Sequence, residues 1–206
     1  MDEEKLNRIK HKILGTPEQT ANHKANDTNK ILAWIITAGK IVLSLVLFVL
    51  SIFMLIAFIS YFFTWKFDQS FEWSQQLSNV RVENWAGMIG AVIANTFIKD
   101  GIGIASFLIP FMLIVSGLSL LKKIRISIGW TLMTSAIGMV LLPVILGFLF
   151  SNPIIFGVGL GGVYGYFISS WLKYALGGII TGILLLLVVT VASYYAWNTL
   201  RKQRKM

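Results

Sequence analysis

The sequence predicts an all-α integral membrane protein with four transmembrane helices, arranged as two tandem hairpins. Three observations support this prediction: long apolar runs, a low content of charge, and basic residues that gather at one end of the predicted helices. Of the 206 residues, 56% are hydrophobic and 13% are charged, whereas soluble domains carry about 25% charged residues. The composition therefore argues against a soluble enzyme and against a disordered chain.

Four apolar runs are long enough to cross the hydrocarbon core of a bilayer, which is about 30 Å thick. A polar segment over residues 1–30 precedes them, and Pro17 and several asparagines make its second half loop-like. We interpret this segment as a solvated cytoplasmic tail, with a short amphipathic helix near its start as the alternative. The predicted membrane domain is 31–200, with spans at 41–63, 104–121, 126–150 and 174–197, and 201–206 begins a cytoplasmic linker.

The basic residues indicate how the spans are oriented. Both termini of a four-span protein lie on one side, and that side holds most of the 18 Lys and Arg residues. Because cytoplasmic loops are enriched in Lys and Arg, both termini are expected in the cytoplasm. The net charge of +9 is thus mainly a topology signal, and DNA binding is the weaker interpretation. The topology-determining candidates are Lys122, Lys123, Arg125, Arg201, Lys202, Arg204 and Lys205.

Two glycine-rich segments, at about 85–98 and 161–172, precede the second and fourth spans. When the first is aligned with the second, their glycines coincide and helical spacing gathers the small residues on one stripe. Small residues let membrane helices approach closely. We predict a short amphipathic helix in each hairpin, either interfacial or re-entrant, within a parallel repeat. The packing or assembly candidates are Gly87, Gly90, Ala94, Gly162, Gly165 and Ser169, and the hinge candidates are Gly101, Gly103, Gly177 and Gly178.

Recognisable catalytic chemistry is missing from the sequence. There is no cysteine, no phosphate-binding loop and only two histidines, His11 and His23, both in the polar tail. No acidic residue lies near the centre of a predicted span, so an ion relay is poorly supported. We therefore predict no catalytic residue, no metal site and no cofactor in this chain. A small transporter or channel built from a tandem repeat is the alternative function.

Three blocks of sequence together resemble a known family. They are Asn84–Ala91 (NWAGMIGA), Gly101–Pro110 (GIGIASFLIP) and Gly161–Ser169 (GGVYGYFIS). Their order and spacing resemble the N-terminal four-span membrane domain of the FtsK/SpoIIIE DNA translocases. The resemblance covers about residues 31–200, which is nearly the whole chain.

The resemblance implies a bacterial inner-membrane protein at the division septum, in which the membrane domain anchors a hexameric cytoplasmic ATPase that moves DNA. It also implies a homo-oligomer, a hexamer in the family, and contacts with other division proteins. DNA, ATP and magnesium are expected to act only through the motor, so this chain is not expected to be an enzyme. Because the sequence ends at Met206 without a motor, we expect either a truncated chain or a stand-alone member.

Overall fold

The computed structural model describes residues 3–5, 17–68, 82–123, 127–151 and 156–204. Within these ranges the regular structure is helical throughout, and no strand occurs. The predicted all-α class is therefore confirmed. The α-helices are α1 (Pro17–Asp68), α2 (Gly87–Ala94), α3 (Leu108–Leu120), α4 (Ile128–Leu149), α5 (Gly162–Leu176) and α6 (Gly178–Arg204).

Four helical stretches are long and apolar enough to cross a membrane, and each predicted span overlaps one of them. Many large hydrophobic side chains on these stretches are exposed, including Leu45 and Leu186. A soluble protein rarely exposes contiguous apolar surface on this scale, so the exposed residues indicate a membrane protein. The stretches are Asn26–Lys66, Gly87–Leu120, Ile128–Leu149 and Gly178–Thr199.

The first helix begins well before the predicted first span. The prediction of a loop-like second half of the tail is wrong, because α1 is continuous from Pro17 to Asp68. Proline is tolerated at the first position of a helix, where its missing N–H loses no hydrogen bond. Extending an existing helix into the polar sequence also avoids the cost of nucleating a new helix. The alternative of an amphipathic helix near the chain start concerns residues 6–16, which lie outside the described residues.

The connection between α2 and α3 remains helical but changes its pitch. Asn95–Ile102 forms a π-helical turn, and Gly103–Phe107 forms a 3₁₀ turn. Gly101 interrupts the helical backbone with φ −101° and ψ −127°. The first predicted short helix and the second span are therefore parts of one continuous element, Gly87–Leu120, which we call the kinked element. The sequence analysis did not predict this continuity.

Glycines with positive φ bracket both predicted short helices. Gly87 begins α2 with φ 70°, and Gly103 follows the π turn with φ 63°. Gly162 begins α5 with φ 66°, and Gly177 follows it with φ 81°. Glycine adopts positive φ without steric cost, whereas other residues are strained there. The same backbone requirement thus occurs at both ends of the two elements.

The buried core surrounds the second half of the span in α1. Phe58 and Tyr61 are fully buried there against Ala94 and Ile98 of the kinked element. Phe156, from the connection between α4 and α5, inserts its ring beside Tyr61 at a centroid distance of 5.8 Å. Aromatic pairs at this separation add about 0.5–1.5 kcal/mol beyond their burial. The core therefore joins α1 to residues from both halves of the chain.

Candidate assembly site

Asn84 attaches the start of α2 to α1. Its side-chain amide donates to the Ala57 carbonyl at 3.1 Å, and its side-chain oxygen accepts from the Ala86 N–H at 3.0 Å. The N–H of Trp85 donates to the Ser60 hydroxyl of α1 at 2.8 Å. Because Asn84 is buried, these bonds satisfy polar atoms that would otherwise be unpaired away from water.

Gly90 lies where α2 packs closely on α1. A methyl group on Gly90 would overlap the Ala86 side chain and would lie 3.3 Å from the Ala57 Cβ of α1. Ala57, Ala91 and Ala94 are fully buried beside it. Small side chains on both helices allow this short separation, as is common between membrane helices.

The two halves of the chain meet backbone to backbone beside the kink. The N–H of Ile104 donates to the Leu160 carbonyl at 3.0 Å. A methyl group on Gly103 would overlap that same carbonyl, and one on Gly162 would overlap the Gly101 carbonyl. Since Gly103 and Gly162 also have positive φ, both space and backbone conformation require glycine at these positions.

A second close contact joins α5 to α4. A methyl group on either Gly161 or Gly165 would overlap the Pro143 carbonyl of α4, and one on Gly147 would overlap the backbone of Gly165. The kinked element, α4 and α5 therefore converge on one small region. We define this region as the glycine junction, formed by Gly101, Gly103, Gly147, Gly161, Gly162 and Gly165.

Hydroxyl groups accompany the irregular turns on either side of the junction. Ser106 donates to the Phe97 carbonyl of the π turn at 2.6 Å, and both residues belong to the kinked element. Ser51 of α1 donates to the Pro110 carbonyl of α3 at 2.9 Å. Because lipid offers no hydrogen bonds, irregular backbone at membrane depth needs such internal partners. These hydroxyls therefore supply hydrogen bonds to backbone carbonyls that water cannot reach.

Polar side chains also connect helical elements, Tyr61 with the π turn and Lys173 with α4. Tyr61 donates its hydroxyl to the Asn95 side-chain oxygen at 2.9 Å, and the Asn95 amide donates to Asp100 at 3.3 Å. Lys173 of α5 donates to the Phe148 carbonyl of α4 at 3.2 Å and lies 4.7 Å from the Phe148 ring centroid. In the part of the chain that the structure describes, no group of three or more His, Cys, Asp or Glu residues is placed to hold a metal ion.

Comparison with known families identifies the class of this helical arrangement. A family model for the 4TM region of DNA translocase FtsK/SpoIIIE matches residues 37–201, which is well over half of the chain. The chain belongs to this family. The resemblance carried by the three sequence blocks is therefore confirmed. No curated protein and no solved structure matched the chain.

Membership in the FtsK/SpoIIIE 4TM family assigns the chain to the membrane region of these translocases and not to their catalytic ATPase. The four apolar helices have the composition that this assignment requires. At the glycine junction, Gly103 and Gly162 bring the backbones of the two halves of this 4TM region into contact, and Gly161 and Gly165 pack α5 on α4. The junction is therefore the candidate site at which the region is assembled.

The structure places the predicted packing residues in two kinds of environment. Gly90, Ala94, Gly162, Gly165 and Ser169 are all buried. The remaining candidate, Gly87, is exposed and has nothing within 4 Å of an added methyl group. Its positive φ explains the glycine there by backbone conformation, without a contact between helices. The assembly role of these six residues remains a prediction.

The predicted hinge residues separate in a similar way. Gly101 and Gly103 belong to the glycine junction, so they join the two halves as well as bending the chain. Gly177 has a φ of 81° and ends α5, and an added methyl group on either Gly177 or Gly178 would have nothing within 4 Å. At the turn between α5 and α6, therefore, close packing between helices does not require the glycines.

The predicted topology residues lie where the helices end. Lys122 and Lys123 are exposed after α3, and Arg201 is exposed near the end of α6. Lys202 and Arg204 also belong to α6, whereas Arg125 and Lys205 lie outside the described residues. Their role in orienting the chain remains a prediction.

Sequence reasoning did not select Gly147 and Gly161, two of the six glycines of the junction. Pro143 and Gly147 stand at spacing i, i+4 on α4, which places them on one helix face and could have marked a packing surface. Gly161 forms a doublet with Gly162, a second signal that was available. No local pattern indicated that Phe156 would be buried, because its partners on α1 are distant in sequence.

Proposed function

We propose that this chain is the membrane-anchoring and assembly domain of a bacterial cell-division DNA translocase. It tethers a cytoplasmic ATPase motor at the division septum for chromosome segregation and supports assembly of other division proteins. The observation that carries the proposal is the family match over residues 37–201. The glycine junction supports it physically, because backbone-to-backbone contacts leave little room for the helices to shift under the load of a motor.

The proposed architecture is a pair of tandem hairpins, each with a short helix before its second span. Positive-φ glycines at both ends of each short element support this repeat. We favour a re-entrant position for the start of α5. Its residues Gly161 and Gly165 contact Pro143, which lies about 9 Å along the axis from the last residue of α4, Leu149.

The proposed arrangement in the cell follows from charge and apolar surface. Both termini lie in the cytoplasm, with the protein in the inner membrane, and most Lys and Arg residues on the terminal side support this orientation. Exposed apolar faces are available to lipid and to other copies in a homo-oligomer, a hexamer by family resemblance. DNA, ATP and magnesium are bound only by the motor.

Imaging of dividing bacteria tests this function. The chain is fused to a fluorescent protein, and the expected result is a fluorescent band at the septum. Gly162→Leu is expected to weaken the band, because leucine would overlap the Gly101 carbonyl. The matched control, Gly39→Leu on α1, has open space around it and is expected to keep the band. Even fluorescence over the whole membrane for the unaltered chain would contradict septal anchoring.

A further inference from the structure

A groove of about 540 Å³ lies between α4 and α6 and has no role in the anchor proposed above. Its volume falls within the range of about 300–1,000 Å³ that is usual for small-molecule sites. The walls are mainly aliphatic, with few polar groups. They include Met133, Ile137 and Leu141 of α4, and Val189, Ala192 and Ala196 of α6.

The groove runs between two antiparallel helices and therefore has two distinct ends. Near one end, Gly182 in the first turns of α6 lies against the ring of Phe148 at the end of α4. At the other end, Trp130 in the first turn of α4 faces the stretch of α6 around Ala196. This second end is the side of the molecule where α4 begins and α6 finishes.

Basic residues lie on the side of the molecule where α4 begins and α6 finishes. Lys122 and Lys123 are exposed in the connection that leads into α4. Arg201 stands about 7.5 Å beyond Ala196 along α6, with its guanidinium 5.0 Å from the Trp197 ring centroid. The sequence contains no Asp or Glu after Asp100. No carboxylate side chain in the half of the chain that forms the groove is therefore available to neutralise these cations.

We propose that the groove binds an anionic phospholipid. An acyl chain lies along α4 and α6, and the phosphate of the head group lies near Lys122, Lys123 and Arg201. The apolar walls match the chain, and the basic mouth matches the charge. Basic pockets between transmembrane helices are a known way of holding anionic head groups. A neutral lipid would fill the same walls but would leave the cations without a partner of net negative charge.

Lipid retention by the purified full chain tests the proposal. The chain is exchanged into mixed micelles that contain either dioleoyl phosphatidylglycerol or dioleoyl phosphatidylcholine, and retained lipid is counted by native mass spectrometry. We expect phosphatidylglycerol to be retained about tenfold better, because several basic residues act on one head group.

Two variants and two matched controls locate the lipid. Ala192→Trp fills the groove, and Arg201→Gln removes one exposed charge at its mouth. Both are expected to lower retention of phosphatidylglycerol several-fold. The controls are Val191→Trp, on an exposed part of α6 that does not line the groove, and Lys66→Gln, at the end of α1. Both controls are expected to retain lipid as the unaltered chain does.

Equal retention of the two lipids would overturn the proposal, as would unchanged retention of phosphatidylglycerol in Arg201→Gln. A lipid-free dimer that Ala192→Trp abolishes and Val191→Trp does not would also overturn it, because a second copy would then occupy the groove. Thermal unfolding, monitored by circular dichroism, checks that Ala192→Trp remains folded. If it does not, Arg201→Gln alone decides the result, since its side chain is exposed.

Discussion

The two halves of the chain contain the same kinds of helix but bury them very differently. In the first half, α1–α3, Phe58 and Tyr61 are completely buried, and α1 packs along both α2 and α3. In the second half, α4–α6, Ile179 and Leu186 of α6 are 82% and 71% exposed. The difference indicates that the first half and the glycine junction stabilise the fold, while α6 presents its surface to lipid or to other proteins.

The largest effect is expected at the glycine junction, where α5 packs on α4. Gly165→Leu would drive a branched side chain into the Pro143 carbonyl. The overlap is between the Cβ and backbone atoms, so a rotamer change cannot relieve it. We expect a loss of stability of about 4 kcal/mol or more, which is exceptional for a single substitution. Unfolding in detergent, followed by circular dichroism, measures this loss.

Gly129→Leu is the matched control for Gly165→Leu, because nothing lies within 4 Å of a methyl group on Gly129. Its stability is expected to remain within about 0.5 kcal/mol of that of the unaltered chain. If both leucine variants lose the same stability, the loss reflects glycine replacement in general. Close packing at the junction would then not be a specific source of stability.

A second experiment compares the two halves directly. Phe58→Ala in the core of α1 is expected to cost about 3 kcal/mol, through lost burial and the cavity that remains. Leu186→Ala on the exposed face of α6 is expected to change the stability of the chain in detergent by less than about 0.5 kcal/mol. Similar losses from the two substitutions in the same denaturation assay would refute the unequal division of stability.

The hydrogen bonds that attach α2 to α1 are expected to make an intermediate contribution to stability. Asn84→Ala removes the buried bond to the Ala57 carbonyl and the partly buried bond from the Ala86 N–H. The expected cost is about 2 kcal/mol. Asn198→Ala, on the exposed face of α6, serves as the control. Equal thermal stability of the two alanine variants would show that the Asn84 bonds are not important.

The smallest effect concerns the polar contact between α1 and the π turn. Tyr61→Phe keeps the buried ring and removes the hydroxyl that donates to Asn95. We expect a loss of about 1 kcal/mol, the usual net value of one hydrogen bond. Tyr174→Phe changes a side chain that is 92% exposed and should leave the melting temperature unaltered. No difference between the two variants would indicate that this bond does not stabilise the first half.

Hydropathy and small-residue spacing were sufficient to predict much of this fold. The four apolar runs predicted the helices, because a membrane requires long uninterrupted apolar segments. The glycine stripes pointed to residues that are buried in the structure, such as Gly90 and Gly165. These features are local, so a single stretch of sequence contains the information that determines them.

The missed features depend on contacts between distant residues. The π turn at Asn95–Ile102 has no periodic signature, and the helical start at Pro17 was obscured by polar composition. Gly147 and Gly161 are recognisable as partners only once α4 and α5 are placed side by side. Burial of Phe156 also requires the tertiary position of α1, and the sequence of the connecting loop does not specify that position.

Disulfide crosslinking tests most directly the central claim that the two halves meet at the glycine junction. The chain has no cysteine, so Ile104→Cys with Leu160→Cys introduces a single pair at the backbone hydrogen bond of 3.0 Å. The control pairs Ile104→Cys with Ile179→Cys, on the exposed surface of α6. Oxidation in native membranes should give an internal disulfide in the first pair alone, since disulfides require Cα atoms about 4.4–6.8 Å apart. Absence of that disulfide, or equal crosslinking of the control pair, would contradict the account.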